Sequence, residues 1–166
     1  MLDYASYQVV DVGNDGTVLA KLSEPDWGDW VRKNVADNPE WYSTHLMRSL
    51  NKTTGVGYFP RGVTFNSRNA PDRGATIIVN ERYLADLNLL AHEYGHALGH
   101  GHTNAMVPDV MNPVSDMRLH DSLGLRQKFK DNFPSHYETF ILPIEKRTDR
   151  LATTALFGAL LWGIMG

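Results

Sequence analysis

The chain has 166 residues, 42% of them hydrophobic and 21% charged, the composition of an ordinary globular protein of about one domain. Lys and Arg number 16 against 19 Asp and Glu, a formal net charge of −3, so there is no electrostatic case for a nucleic-acid partner. With no cysteine, a disulfide scaffold, a thiolate metal site and a cysteine nucleophile are all excluded.

The first residues, Met1-Leu2-Asp3-Tyr4-Ala5-Ser6-Tyr7, carry an acid where a secretory signal carries basic residues, and no apolar stretch follows. The expectation is a protein that stays in the cytoplasm, or one that leaves by a route without a signal, such as inside a virus particle. Tyr7–Asp11 and Thr17–Lys21 are β-prone runs around Gly13-Asn14-Asp15-Gly16 and predict a hairpin. Ser23-Glu24-Pro25-Asp26 opens a helix in which Trp27, Trp30, Val31 and Val35 recur at helical spacing, the tryptophans as core. A second helix is expected from Pro39 to Lys52, with Trp41, His45, Leu46 and Leu50 near one face and His45 a packed histidine.

Val63–Ser67 and Ala75–Asn80 read as strands separated by the turn-rich Asn69–Gly74. Leu84, Leu87, Ala91, Tyr94 and Leu98 then recur every three or four residues, giving a helix with one apolar stripe that stops at Gly99. Beyond a turn-rich loop from Val107 to Pro113, helices are expected over Asp116–Asn132 and Ser135–Ile141, the latter stopped by Pro143.

From Leu151 to Gly166 the chain carries no charge and follows Lys146, Arg147 and Arg150. As a helix this tail reaches roughly 24 Å, short of the ~30 Å hydrocarbon core of a bilayer. Apolar on all sides, it is no surface helix in water. It reads as a core helix, an oligomer contact, or a short membrane-inserting segment with the basic cluster at the headgroups.

Four of the seven histidines fall between His92 and His102. In His92-Glu93-Tyr94-Gly95-His96 the two histidines are four apart, so they stack on one helix face and can offer imidazole nitrogens to one ion. Zinc suits three protein ligands plus water. Glu93, one helical step from His92, is set beside the metal's solvent position as a general base rather than as a ligand. A rigid helix would carry later side chains away, but Gly99 permits the left-handed turn that swings His102 back as third ligand. The chance of this pattern arising from the chain's composition is on the order of 10⁻⁵. His100 occupies a variable position and reads as a bystander.

The stretch HEYGHALGHGH, His92 to His102, resembles the extended zinc signature of the metzincin endopeptidases at every defining position. Asp109-Val110-Met111-Asn112-Pro113 is similar to the clan's methionine turn, and Leu87–Ala91 leading into the motif is most similar to the matrixins. Thr103 stands where matrixins have serine, there is no cysteine for a thiol latency switch, and no tyrosine closely follows Met111. His45, His120 and His136 do not form that family's second zinc site, and nothing in the sequence supports calcium.

The resemblance implies an α+β, metzincin-like fold: a twisted mixed β-sheet packed on an active-site helix, with a smaller, mostly helical or irregular C-terminal subdomain. The domain would span residues 1–150, with residues 1–99 above the cleft, residues 100–150 below it, and 151–166 as the apolar tail. It implies one catalytic zinc ion on His92, His96 and His102, Glu93 as general base and then acid, Gly99, Met111 and Pro113 as structural support, and a peptide or protein substrate. A substrate strand would add to the sheet edge at Ala75, Thr76, Ile77, Ile78, Val79 and Asn80, and Val114 and Ser115 after Pro113 would wall the pocket beyond the cleaved bond. The rival expectation is a structural or membrane-docking component of a larger, even viral, assembly that retains the zinc site. A hydrolase acting on cell-wall cross-link peptides shares the chemistry.

Overall fold

The computed structural model describes residues 7–31, 61–65, 74–104 and 106–165, with side chains to residue 158. The helix expected over Pro39–Lys52, with His45, lies outside the described residues, as do Val35, the end of the 63–67 strand and most of the 69–74 turn.

Among the described residues, four strands form one mixed sheet: β1 (Gln8–Val12), β2 (Val18–Leu22), β3 (Gly62–Phe65) and β4 (Thr76–Asn80), in the order β1-β2-β4-β3. β1 and β2 are the expected antiparallel hairpin, with a bulge between Val9 and Asp11 and Gly16 at φ +84° in the turn. β2 runs parallel to β4, Leu19 opposite Ile77, and β3 runs antiparallel to β4, Thr64 opposite Ile77. β4 is therefore paired on both sides, which corrects the expectation that Ala75–Asn80 offers a free edge. Its TIIVN sequence explains this: a strand buried on both faces reads as a continuous apolar run. Among the described residues, the edge beside it is β3.

Alternation along the strands sends side chains to two layers. Ala20, Leu22, Val63 and Ile78 pack on helix α1 (Glu24–Val31) through Trp27, Trp30 and Val31. The Ser23 hydroxyl caps that helix by accepting from Asp26 N, and it donates to the Asp26 carboxylate. On the other face Leu19, Ile77 and Val79 meet helix α2 (Leu87–Ala97) and helix α3 (Leu125–Asn132) through Leu90, Tyr94, Phe129 and Phe133. Asp15, in the hairpin turn, accepts from Tyr94 Oη at 2.8 Å and from Asn132 Nδ2 at 3.0 Å, tying β1–β2 to both helices.

Two helices depart from expectation. Asp116–Asn132 is not one helix: a 3₁₀ turn at Ser115–Met117 gives way to an extended stretch, and α3 begins only at Leu125. Hydrogen bonds from elsewhere in the fold win over local propensity here. Val110 N donates to His120 O at 2.7 Å and Arg118 Nε to Asn112 O at 3.0 Å. The Asp121 carboxylate then caps α3 at the Leu125 and Arg126 amides. Nor does Pro143 stop the last helix. A turn at Pro134–His136 leads into a π-helical stretch, Tyr137–Ile141, which continues as α4 (Leu142–Met165). The wider turn, with Leu142 N bonded back to Tyr137 O, absorbs the missing Pro143 donor and the crowding of its ring. α4 runs unbroken past residue 150, where the domain was expected to give way to the tail.

The tail is not a core helix of this domain over the described side chains: every residue from Lys146 to Gly158 is exposed. Among the described residues no helix is long and apolar enough to cross a membrane.

Candidate metal centre

Helix α2 carries the centre. The Asp86 carboxylate starts it by accepting from Leu89 N at 3.0 Å. It ends at Gly99, φ +91°, in a Schellman turn: His100 N donates to Gly95 O at 2.9 Å and Gly99 N to His96 O at 3.0 Å. A non-glycine residue is strained at that φ. Beyond the turn His102 comes back over the helix end, held by Thr103 N donating to Met111 O at 3.1 Å.

The result is a convergence of three imidazoles. His96 Nε2 lies 3.1 Å from His92 Nε2 and 3.1 Å from His102 Nε2, and the last two are 3.3 Å apart. Among the described residues this is the one group of three or more His, Cys, Asp or Glu that could hold a metal ion. His92 Nδ1 lies 2.8 Å from Val110 O and His96 Nδ1 2.8 Å from His100 O. Carbonyls only accept, so both Nδ1 atoms carry the proton and both Nε2 atoms turn bare lone pairs toward one point. Lone pairs that close repel unless a cation lies between them. A tetrahedral ion with nitrogen bonds of about 2.0–2.1 Å requires donors about 3.3 Å apart, so the donor set fits such an ion. His92 is buried, His96 half-buried and His102 exposed, which leaves the cluster open on one side.

Electrostatics favour neutral, ligating imidazoles. Burial holds His92 well below the ordinary histidine range, helped by the charges of Arg118 and His96. Desolvation of the inward edge of His102, again with His96 and Arg118, lowers it to about 4.

Glu93 is buried between α2 and β3. Burial raises its carboxyl above the ordinary range, against the opposing pull of His96, of a hydrogen bond from Thr64 and of Arg118. Thr64 Oγ1 stands 2.7 Å from Glu93 Oε2 and 2.9 Å from the Glu93 carbonyl oxygen. Gly62 shares that face of β3, and a Cβ there would stand 2.9 Å from Glu93 Cγ.

Met111 is buried against α2, beside Ala91 and Leu125, and Gly95 makes room for it: a Cβ at Gly95 would stand 2.3 Å from Met111 Sδ. The loop holding Met111 is pinned by two side chains. Asp109 accepts from Met111 N and Ser122 N; Asn112 donates to Val107 O and accepts from Val114 N. Pro113, Val114 and Ser115 follow, half-buried.

The structure thus brings together His92, His96, His102, Glu93 and Met111. It sets Ala75–Asn80 in the sheet interior, with Thr64 of β3 between that strand and Glu93. Thr64, Arg118, Asp109 and Asn112 were not singled out in the sequence. Asp109 and Asn112 carry a usable signal, an Asx residue two before the amide it caps; Thr64 and Arg118 carry none, because nothing in their local sequence marks the groups they reach. No family model, curated protein or solved structure matches the chain.

Proposed function

We propose that this protein is a zinc-dependent endopeptidase of the metzincin type. The observation that carries the reading is the convergence of three imidazole Nε2 atoms, 3.1–3.3 Å apart, two of them from the helix that also carries a buried glutamate. A structural zinc site has no use for that glutamate; hydrolysis does.

His92, His96 and His102 would hold the ion. A zinc ion bound by three imidazoles lowers the pKa of its water toward about 7 and polarises a carbonyl as a Lewis acid. Glu93 takes the proton of the attacking water and returns it to the leaving amine, and its raised pKa suits a group that must both accept and donate. Thr64 fixes the carboxylate by occupying Oε2, which leaves Oε1 as the oxygen free to work. An extended substrate would add its strand to β3, the sheet edge beside Glu93, in place of Ala75–Asn80. Pro113, Val114 and Ser115 follow Met111 and would line the pocket beyond the scissile bond.

Zinc content and cleavage of an unfolded protein substrate test this together. Glu93→Gln should keep one zinc per chain and lose at least about 100-fold in kcat. Zinc bound with no cleavage by the parent would give the protein to the rival reading, a structural component that retains the site. Unaltered cleavage by Glu93→Gln would remove the general base.

A further inference from the structure

Among the described residues, neither the core nor the metal centre uses α4 from Lys146 to Gly158. The helix is fastened to the body at Glu145, which accepts from Lys130 Nζ at 3.1 Å and from Tyr137 Oη at 2.7 Å. From Lys146 to Gly158 it is exposed on all its faces. Leu151, Leu156 and Phe157 are 66%, 67% and 64% exposed.

A helix that pairs with one partner in water keeps a polar face for the rest of its circumference. Leu151–Gly166 supplies none: it has no charge, and its only hydroxyls are Thr153 and Thr154. Both hydroxyls turn back on their own helix. Thr153 Oγ1 donates to Asp149 O and Thr154 Oγ1 to Arg150 O, each at 2.9 Å, so neither needs water or an outside partner. Surroundings that suit such a surface are apolar on every side at once, which hydrocarbon supplies and a single partner helix does not.

The charges that precede the run point the same way. At about 100° per residue, Lys146, Arg147 and Arg150 fall within an arc of roughly 100°, centred about 150° around the helix from Glu145. Positive charge therefore faces away from the body, directly ahead of the uncharged run; Asp149 lies between that arc and Glu145. The helix over 151–165 is about 22 Å long, more than one leaflet's share of the ~30 Å hydrocarbon core.

We propose that α4 docks the protein on a bilayer carrying anionic lipid, with Lys146, Arg147 and Arg150 at the headgroup phosphates and Leu151–Met165 in the apolar layer. The proposal is independent of the peptidase reading.

Vesicle flotation with the full chain is the test, using phosphatidylcholine alone and phosphatidylcholine mixed with phosphatidylserine. The chain should rise with the mixed vesicles and less with the neutral ones, and added salt should narrow the difference. Leu156→Asp together with Phe157→Asp should cut the bound fraction at least about tenfold. Far-UV circular dichroism and the thermal transition of that variant should match the parent, since both side chains are exposed. Lys146→Glu with Arg147→Glu should abolish the preference for phosphatidylserine. Brominated acyl chains should quench indole fluorescence, and Trp162→Phe should remove that quenching. A chain that rises with neither vesicle overturns the proposal; if it is then an oligomer that Leu156→Asp with Phe157→Asp breaks, a second copy covers the helix. Equal flotation of that variant and the parent overturns it as well.

Discussion

Thr64 reaches Glu93 with one hydroxyl from a strand 29 residues earlier in the chain. A carboxylate in a buried setting swings about its side-chain torsions unless something holds it, and a hydroxyl on one oxygen directs the other toward its task. Thr64→Val keeps the shape and removes that donor. If the peptidase reading holds, kcat should fall roughly tenfold with KM and zinc content near the parent values, and Thr64→Ser should recover most of the loss. A change in KM alone, or a fall in zinc content, would mean that Thr64 does something other than hold Glu93. Pairing by residues far apart in sequence is the reason this contact is silent in a motif search: His92-Glu93-xx-His96 is one helix and legible as such, whereas Thr64 becomes a neighbour only when β3 lies against α2.

At the scale of elements, α2 and the Met111 loop are fitted to each other through the absence of a side chain. Gly95→Ala puts a Cβ 2.3 Å from Met111 Sδ and 2.8 Å from Leu125 Cδ1, in a region of the core where Met111 and Leu125 are fully enclosed. Overpacking of this kind costs about 1–3 kcal/mol, and alanine in a helix returns about 1 kcal/mol. The variant should lose about 1 kcal/mol, read as a lowered urea midpoint with an unchanged m-value. A more stable variant would mean that Met111 moves away freely, and that the loop is not fixed by its packing. Elements were legible in the sequence where the apolar pattern is strong, as the β-prone runs of β2 and β4 and the helical stripe of α2. The start of α3 was not, because the bonds of Val110 to His120 and of Arg118 to Asn112 hold residues 116–123 in place of helical ones. Pro143 misled for a related reason: a π-turn upstream lets the helix carry a proline that an ideal α-helix would reject.

For the molecule as a whole, acid should be the weak flank. His92 and His136 are buried and titrate below the ordinary histidine value of 6.5, in each case chiefly through desolvation, and His102 is lowered to about 4. Above 6.5 these groups are neutral folded or unfolded and contribute no pH dependence. Below it the unfolded chain takes up protons that the folded chain refuses, so stability falls as pH drops from about 6.5 toward 4. Each buried imidazole adds up to about 1.4 kcal/mol per pH unit to that slope. The raised Glu93 carboxyl acts in the opposite sense, so urea titrations of metal-free Glu93→Gln between pH 7.5 and about 4.5 isolate the imidazole contribution, and a flat profile there would contradict the burial of these rings. If the three imidazoles hold zinc as proposed, the ion would bind only their folded arrangement, so a chelator should lower the Tm of zinc-loaded protein at pH 7.5, and the gap should close in acid as the ligands protonate.

By itself the sequence determined the local geometry of the centre: two histidines four apart on a helix, a glutamate one step on, a glycine where the chain must turn left-handed, and a third histidine within reach of that turn. These are short-range relations, set by helix pitch and backbone sterics, and residue spacing carries them fully. Only the tertiary structure decided that β4 is interior and β3 the edge, that Thr64 and Gly62 flank Glu93, that Arg118 is buried with its charge acting on the imidazoles, and that α4 stands exposed from Lys146 to Gly158. Each depends on which distant segments pack together, and strand order and burial belong to the assembled core rather than to any window of sequence.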